Sequence, residues 1–225
     1  GIVGILSFSR ATLKKEAFFK NALYACAVRG RDATGILKVQ ENNPPIIYKK
    51  AVCSNDFLDL TAAISIITSP SKLLLGHCRA ATSGSKYLTQ AAHPFKSEHI
   101  YGVHNGTLVA WDRKYKEEEM ISDSQYIIKK IAAEGIEETV KTLDGSFTII
   151  YWDENEKSLN IIRNEDRPLV VAYSTQEDAV LFASEISILR FAAERAGILL
   201  DKTKKDVVSI STPKGLVKYT LIDIE

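Results

Sequence analysis

Phe147-Thr148-Ile149-Ile150-Tyr151-Trp152, Leu159-Asn160-Ile161-Ile162, Leu169-Val170-Val171-Ala172-Tyr173 and Val180-Leu181-Phe182-Ala183 succeed one another with only a few polar residues between them. Each run is short and rich in β-branched or aromatic residues, the composition of a strand packed in a sheet. Parallel neighbours need a crossover of about a dozen residues or more, so connections this brief predict antiparallel meanders.

Upstream, Ser122 with Gln125 three residues on forms a capping-box pattern and predicts a helix running towards Gly135, with a second helical stretch to Leu143. Downstream, Ser184 is expected to cap a helix that turns Ile186, Leu189, Ala192 and Ala193 inward, and two last strands end near Asp223. Towards the start, Ile2 to Phe8 reads as a buried strand, and Ala11 to Val28 as a helix with Phe18, Ala22, Ala25 and Cys26 on one face. Strands are expected at Ile36 to Val39, Ile46 to Val52, Lys72 to Arg79 and Ile100 to His104, with a helix near Asp56 to Ile67 and a turn at Asn42 to Pro45. Antiparallel strands with helices in separate blocks predict a layered α+β fold, two sheets between helices.

With 225 residues and 45% hydrophobic content, the chain can bury one sizeable core, and no repeat or proline-rich linker divides it, so residues 1–225 are expected to form one domain. Lysine and arginine number 29 against 28 acidic residues, a net charge of +1 without blocks of one sign, which argues against a nucleic-acid or membrane-surface partner. Cys26, Cys53 and Cys78 are an odd, sparse set without paired spacing; neither a disulfide framework nor a metal cluster is expected, and a reducing cytoplasm fits. The apolar run Ile2 to Phe8 is too short to span a membrane and lacks the basic flank of a secretory signal.

Polar residues collect at expected strand and helix ends in five segments: Arg29-Gly30-Arg31-Asp32-Ala33-Thr34-Gly35, Gly76-His77-Cys78-Arg79-Ala80-Ala81-Thr82-Ser83-Gly84, Ala92-His93-Pro94-Phe95, Val103-His104-Asn105-Gly106-Thr107-Leu108 and Ser122-Asp123-Ser124-Gln125. Taken singly each has a plain structural explanation. Asn105-Gly106 alone reads as a tight turn, Arg79 as a surface ion pair, and Asp123 as a helix cap.

In this order and at these distances, however, the five segments resemble the signature of class II glutamine amidotransferases, which belong to the N-terminal nucleophile hydrolases. Gly1-Ile2-Val3-Gly4-Ile5 is similar to the segment directly after that family's N-terminal cysteine, and Arg163 to Leu169 and Phe182-Ala183-Ser184-Glu185 resemble later family segments. The resemblance implies a four-layer αββα sandwich of two mainly antiparallel sheets, L-glutamine as substrate and no cofactor. It also implies a nucleophilic cysteine whose own α-amine, with a pKa of about 7.7 to 8.0, takes the thiol proton.

Carried over residue by residue, Asn105 and the Gly106 N–H match the oxyanion hole, Arg79 the group that holds the glutamine α-carboxylate, and Asp123 the group that binds the α-ammonium. Thr82 and His93 resemble pocket-lining loop residues, and Arg29 and Asp32 a supporting segment that braces the N-terminus.

Gly1 departs from the pattern, because it has no side chain where the family keeps its nucleophile. Cys78 is no substitute, since strand alternation turns it away from Arg79. Cys26 sits on an apolar helix face, and Cys53 has no evident base. Ala80 stands where some members carry tryptophan, which leaves ammonia gating open, and Gln125 stands where an acidic residue is common. Two readings are open. In the first, the chain is a glutaminase completed by a cysteine missing or replaced at Gly1, supplying ammonia to a separate synthase protein. In the second, it is an inactive glutamine-binding module with a native N-terminal glycine. Action on another amide is disfavoured by the pairing of Arg79 with Asp123, which suits a free amino acid.

Overall fold

Val3 and Ile5 alternate with Ile2 and Leu6 along the first strand, and both faces of that strand are covered, so an almost continuously apolar run becomes a central strand. The computed structural model describes residues 1–9, 12–81, 88–109, 120–164, 167–201, 207–212 and 215–220. Its elements in chain order are β1 (Ile2–Ser7), α1 (Leu13–Ala25), a 3₁₀ turn (Cys26–Arg29), β2 (Ala33–Val39), β3 (Ile46–Lys50), α2 (Ser54–Leu58), α3 (Thr61–Ile67) and β4 (Leu73–Arg79). Next come a second 3₁₀ turn (Thr89–Ala91), β5 (Phe95–Ser97), β6 (Ile100–Leu108), α4 (Asp123–Glu134), α5 (Ile136–Thr142), β7 (Gly145–Asp153) and β8 (Ser158–Arg163). The last elements are β9 (Val170–Ser174), β10 (Ala179–Ala183), α6 (Ile186–Ala196), β11 (Val207–Thr212) and β12 (Gly215–Thr220).

One sheet has the order β3-β2-β4-β1-β10-β9, a second β5-β6-β7-β8, and β11 pairs with β12. All the pairings are antiparallel, as the short connections require. Helices α1 and α6 cover the outer face of the six-stranded sheet, where Phe18, Phe19, Leu23 and Leu189 meet Val3, Ile5 and Leu74. Helices α4 and α5 cover the four-stranded sheet through Ile127, Ile128, Ile131 and Val140. Between the sheets lie Ile2, Leu75, Val103, Ile150, Trp152, Val171 and Phe182. Three apolar layers between four structural layers make the αββα sandwich.

Several boundaries differ from expectation for physical reasons. The helix expected over Asp56 to Ile67 is two short helices broken at Leu60, whose ψ of 122° is extended. Phe57 and Ala63 are six residues apart, about one-third of a turn out of phase on a continuous helix; with the break both lie in one apolar cluster. Ser184 does not cap α6: the cap residue is Glu185, without a side-chain bond, and the Ser184 hydroxyl is engaged elsewhere. Asn105-Gly106 is not a turn, because β6 runs through both to Leu108. Half of the expected capping box is present: Ser122 Oγ accepts from Gln125 N at 3.2 Å, while Gln125 Oε1 reaches back to Ile121 N at 2.9 Å, one residue before the cap. No described helix is long and apolar enough to cross a membrane.

At the centre of the sandwich the ring of Phe182 lies over Gly4, its partner in register, and an added Cβ on Gly4 would come within 2.2 Å of that ring. Overpacking of this kind costs about 1–3 kcal/mol. We therefore expect Gly4→Ala to destabilise the fold in chemical denaturation, and to cost clearly less in a Phe182→Leu background; strict additivity of the two changes would show that the contact is not what limits position 4.

Candidate active site

The ends of β1, β4 and β6 meet the start of α4 at a cleft lined by Gly1, Arg29, His77, Arg79, His93, His104, Asn105, Gly106, Asp123 and Arg167, among others. Pairing sets which side chains face it. Ile2 lies opposite His77, and Gly1 continues the ladder, its nitrogen donating to Cys78 O at 2.6 Å while Cys78 N donates to Gly1 O at 2.8 Å. Alternation along β4 sends His77 and Arg79 towards the second sheet and Cys78 into the helix-side core, where its thiol approaches Leu23 O at 3.7 Å.

Gly1 itself has no room for a side chain on its outward bond. A Cβ there would lie 2.4 Å from Arg29 Cβ and 2.6 Å from Cys26 Sγ. That direction is the helix side of the sheet, the same as Val3 and Ile5.

Asn105, in β6, sits in a chain of hydrogen bonds. Its Nδ2 donates to Ser184 Oγ at 2.9 Å, and its Oδ1 faces His77 Nε2 at 3.0 Å. Ser184 Oγ also receives Ile2 N at 2.7 Å. His77 Nδ1 lies 3.0 Å from His93 Nδ1, the rings edge to face. Gly106 adopts φ +149°, and a Cβ on it would meet Ser146 O at 1.9 Å and His104 Nε2 at 2.6 Å, so glycine is required here.

Asp123 opens α4. Its Oδ1 accepts from Ser124 N at 2.8 Å and Ser124 Oγ at 3.3 Å, and its Oδ2 accepts from Leu108 N at 3.2 Å, which ties the helix start to the end of β6. Arg79 is almost fully buried; burial disfavours its charge, while Asp32 and Asp123 favour it. Asp32 does not line the cleft but accepts from Ala81 N at 2.8 Å, and Asp32 N donates to Arg79 O at 3.0 Å, so it fixes the strand end that carries Arg79. Arg29 pairs with Glu185 at 2.8 Å. Lys49 clamps the segment around His93 by donating to Gln90 O at 3.2 Å, Ala92 O at 2.6 Å and Pro94 O at 3.1 Å, and burial lowers its pKa to about 8.

The structure thus brings Gly1, Arg29, Arg79, His93, Asn105, Gly106 and Asp123 to one cleft, with Asp32 behind it; Thr82 lies outside the described residues. His77, His104, Ser124 and Ser184 escaped the sequence reading. His77 was legible, since it lies two residues before Arg79 and therefore on the same face. Ser184 lies in the family-like stretch Phe182-Ala183-Ser184-Glu185, but its role was hidden because a serine before a helix looks like a cap. Among the described residues, no group of three or more His, Cys, Asp or Glu is arranged to hold a metal ion.

A cleft at the ends of central strands of an αββα sandwich defines an N-terminal nucleophile hydrolase type of fold. Within that class, a model of the glutamine amidotransferase domain matches residues 77–191, and the chain belongs to this family, of class II type. The glutamine–fructose-6-phosphate aminotransferases (isomerizing) of Bartonella henselae and Bartonella quintana are 25% and 27% identical over 98% and 85% of the chain. The chain spans only 38% and 33% of their lengths. Among solved structures, the glutamine phosphoribosylpyrophosphate amidotransferase of Bacillus subtilis covers 97% of the chain with a TM-score of 0.66 at 18% identity, over 48% of its own length. A class II glutamine aminotransferase domain protein of Silicibacter pomeroyi aligns along 100% of its length at 14% identity, with a TM-score of 0.55. These structural likenesses concern the fold.

His77, His93 and His104 are buried, and burial holds all three below the ordinary value of 6.5; the neighbouring His93 further lowers His77, and His104 further lowers His93. Their depressed folded values mean that the unfolded chain takes up protons first as pH falls. The stability they confer is complete above about pH 6.5 and declines below it, by up to about 1.4 kcal/mol per pH unit for each imidazole kept neutral. The melting temperature should therefore drop between pH 7.5 and 5.5, and drop less in a His93→Phe variant; an equal drop in both would contradict this account.

Proposed function

We propose that residues 1–225 act as one glutaminase unit, hydrolysing L-glutamine to glutamate and ammonia through a cysteine joined ahead of Gly1 and passing the ammonia to a separate acceptor protein. Strand geometry is the observation that carries it. Gly1 turns to the helix side of its sheet and has no space for a Cβ, whereas Ile2 faces the second sheet. Alternation then directs a residue joined to the Gly1 nitrogen to the same side as Ile2, opposite Arg79 in the ladder and beside Asn105.

A thiolate there would attack the glutamine side-chain amide. The free Nδ2 hydrogen of Asn105 and the Gly106 N–H would receive the charge that develops on its oxygen. Arg79 would grip the α-carboxylate with two parallel N–H groups, and Asp123, whose carboxylate already accepts three hydrogen bonds, would bind the α-ammonium at a remaining lone pair. His93 would form the pocket wall, while Arg29 and Asp32 brace the strand ends. Membership of the family supports glutamine as the substrate.

The test begins with intact mass and the N-terminal residue of the product of the native gene, followed by glutamate release from glutamine. Chain with cysteine ahead of Gly1 should be active and Gly1→Cys inactive, because the second places its side chain against Arg29 and Cys26. In the active form, Arg79→Lys should raise KM about tenfold or more with a small change in kcat, since it loses a charge-assisted bond worth about 1.5–3 kcal/mol. No release with a leading cysteine, but glutamine binding that depends on Arg79, would replace this proposal with a binding module.

A further inference from the structure

The hydroxyl of Ser184 fixes the direction of a hydrogen-bond chain that runs through the cleft. It has one proton, and the carbonyl of Ile2 at 3.3 Å is there to accept it. Its oxygen lone pairs are filled by Ile2 N and by Asn105 Nδ2. With the serine proton committed to the main chain of β1, the Asn105 group facing Ser184 has to be the donor, and Oδ1 therefore faces His77. An amide oxygen only accepts, so His77 Nε2 carries the hydrogen and, in a neutral ring, His77 Nδ1 is bare. The bare Nδ1 meets His93 Nδ1 at 3.0 Å, and a bond at that distance requires the hydrogen on His93 Nδ1. His93 Nε2 is then the bare nitrogen at the end of the chain, and this buried atom has no partner among the described residues.

Surroundings keep the pair neutral. Both rings are buried, and Lys49, Arg79 and His104 all disfavour a proton on His93. While His93 carries its hydrogen on Nδ1, a proton on His77 Nδ1 would set two N–H groups against each other.

We infer that His77 is a positioning residue: as the Nε2–H tautomer it donates to Asn105 Oδ1 and, together with Ser184 on the other side, holds the Asn105 amide so that one Nδ2 hydrogen goes to Ser184 and the other is presented to the cleft. This deepens the proposed glutaminase and rests on it for its kinetic consequence. The second hydrogen matters only when negative charge builds on the substrate oxygen, so its loss lowers kcat far more than it raises KM.

The experiment uses the chain with cysteine ahead of Gly1, labelled with ¹⁵N-histidine. The chain has four histidines, so a long-range ¹H–¹⁵N spectrum contains four rings, and single His→Gln variants assign them. His77 should appear as the Nε2–H tautomer and His93 as Nδ1–H. His77→Leu should lower kcat for glutamine about 10- to 100-fold, below the roughly 10²–10³ seen when an oxyanion donor is deleted outright, with KM within about twofold. His77→Gln, which retains an N–H donor of similar reach, should recover most of the loss.

An Nδ1–H or doubly protonated His77 would overturn the inference even if the leucine variant fails to fold. So would an unchanged kcat in His77→Leu, or equal losses in the leucine and glutamine variants, which would mark a packing role. Chain that shows the expected tautomers but releases no glutamate would overturn the glutaminase and leave the Asn105 orientation standing.

Discussion

Everything at the cleft depends on the register of β1 against β4. Ile2 opposite His77 and Gly1 opposite Cys78 send Ile2, His77 and Arg79 to one side of the sheet, and Gly1 and Cys78 to the other. Side chains alternate with a period of two, so a slip of one residue would bury Arg79 among the helices and bring Cys78 to the cleft. The slip is prevented by apolar layers on both faces of the strand. Val3 and Ile5 belong to one core, Ile2 to the other, and Gly4 leaves space for the ring of Phe182. A central strand packed on both sides is the most strongly specified kind, and here it carries the start of the chain.

Burial of polar groups is tolerated at this point because they largely satisfy one another, His93 Nε2 at the end of the chain being the exception. An unpaired buried amide or hydroxyl costs about 1–3 kcal/mol, yet Ser184, Asn105, His77 and His93 pass hydrogen bonds from the backbone of Ile2 to the inner edge of the cleft. Such a chain is rigid in a way that a solvated site is not, since turning one member over would orphan its neighbours. The same economy applies to Asp123, which opens a helix, ties it to β6 and still faces the cleft.

Much of this was legible in the sequence because strong local rules act on it. The antiparallel runs from Phe147 to Ala183 have short connections, and the helix from Ser122 has its serine cap, so type and order of elements came from chemistry within a few residues. Long-range demands decided the rest. The interruption at Leu60 brings Phe57 into a core shared with distant elements, and nothing in the segment itself announces it. Asn105-Gly106 looks like a turn to any local rule, but ladder pairing with Thr148 and Phe147 holds it in β6. Ser184 looks like a cap; its actual partners, Ile2 and Asn105, lie far away in sequence.

That separation has a consequence for synthesis. Residue 2 leaves the ribosome long before Ser184, whose amide and hydroxyl both bond to it and which is made 182 residues later. Until then β1 lacks one neighbour and Asn105 lacks the acceptor that sets its orientation. A nascent chain therefore has the individual residues of the cleft but not their geometry until β10 and the serine that follows it have been made.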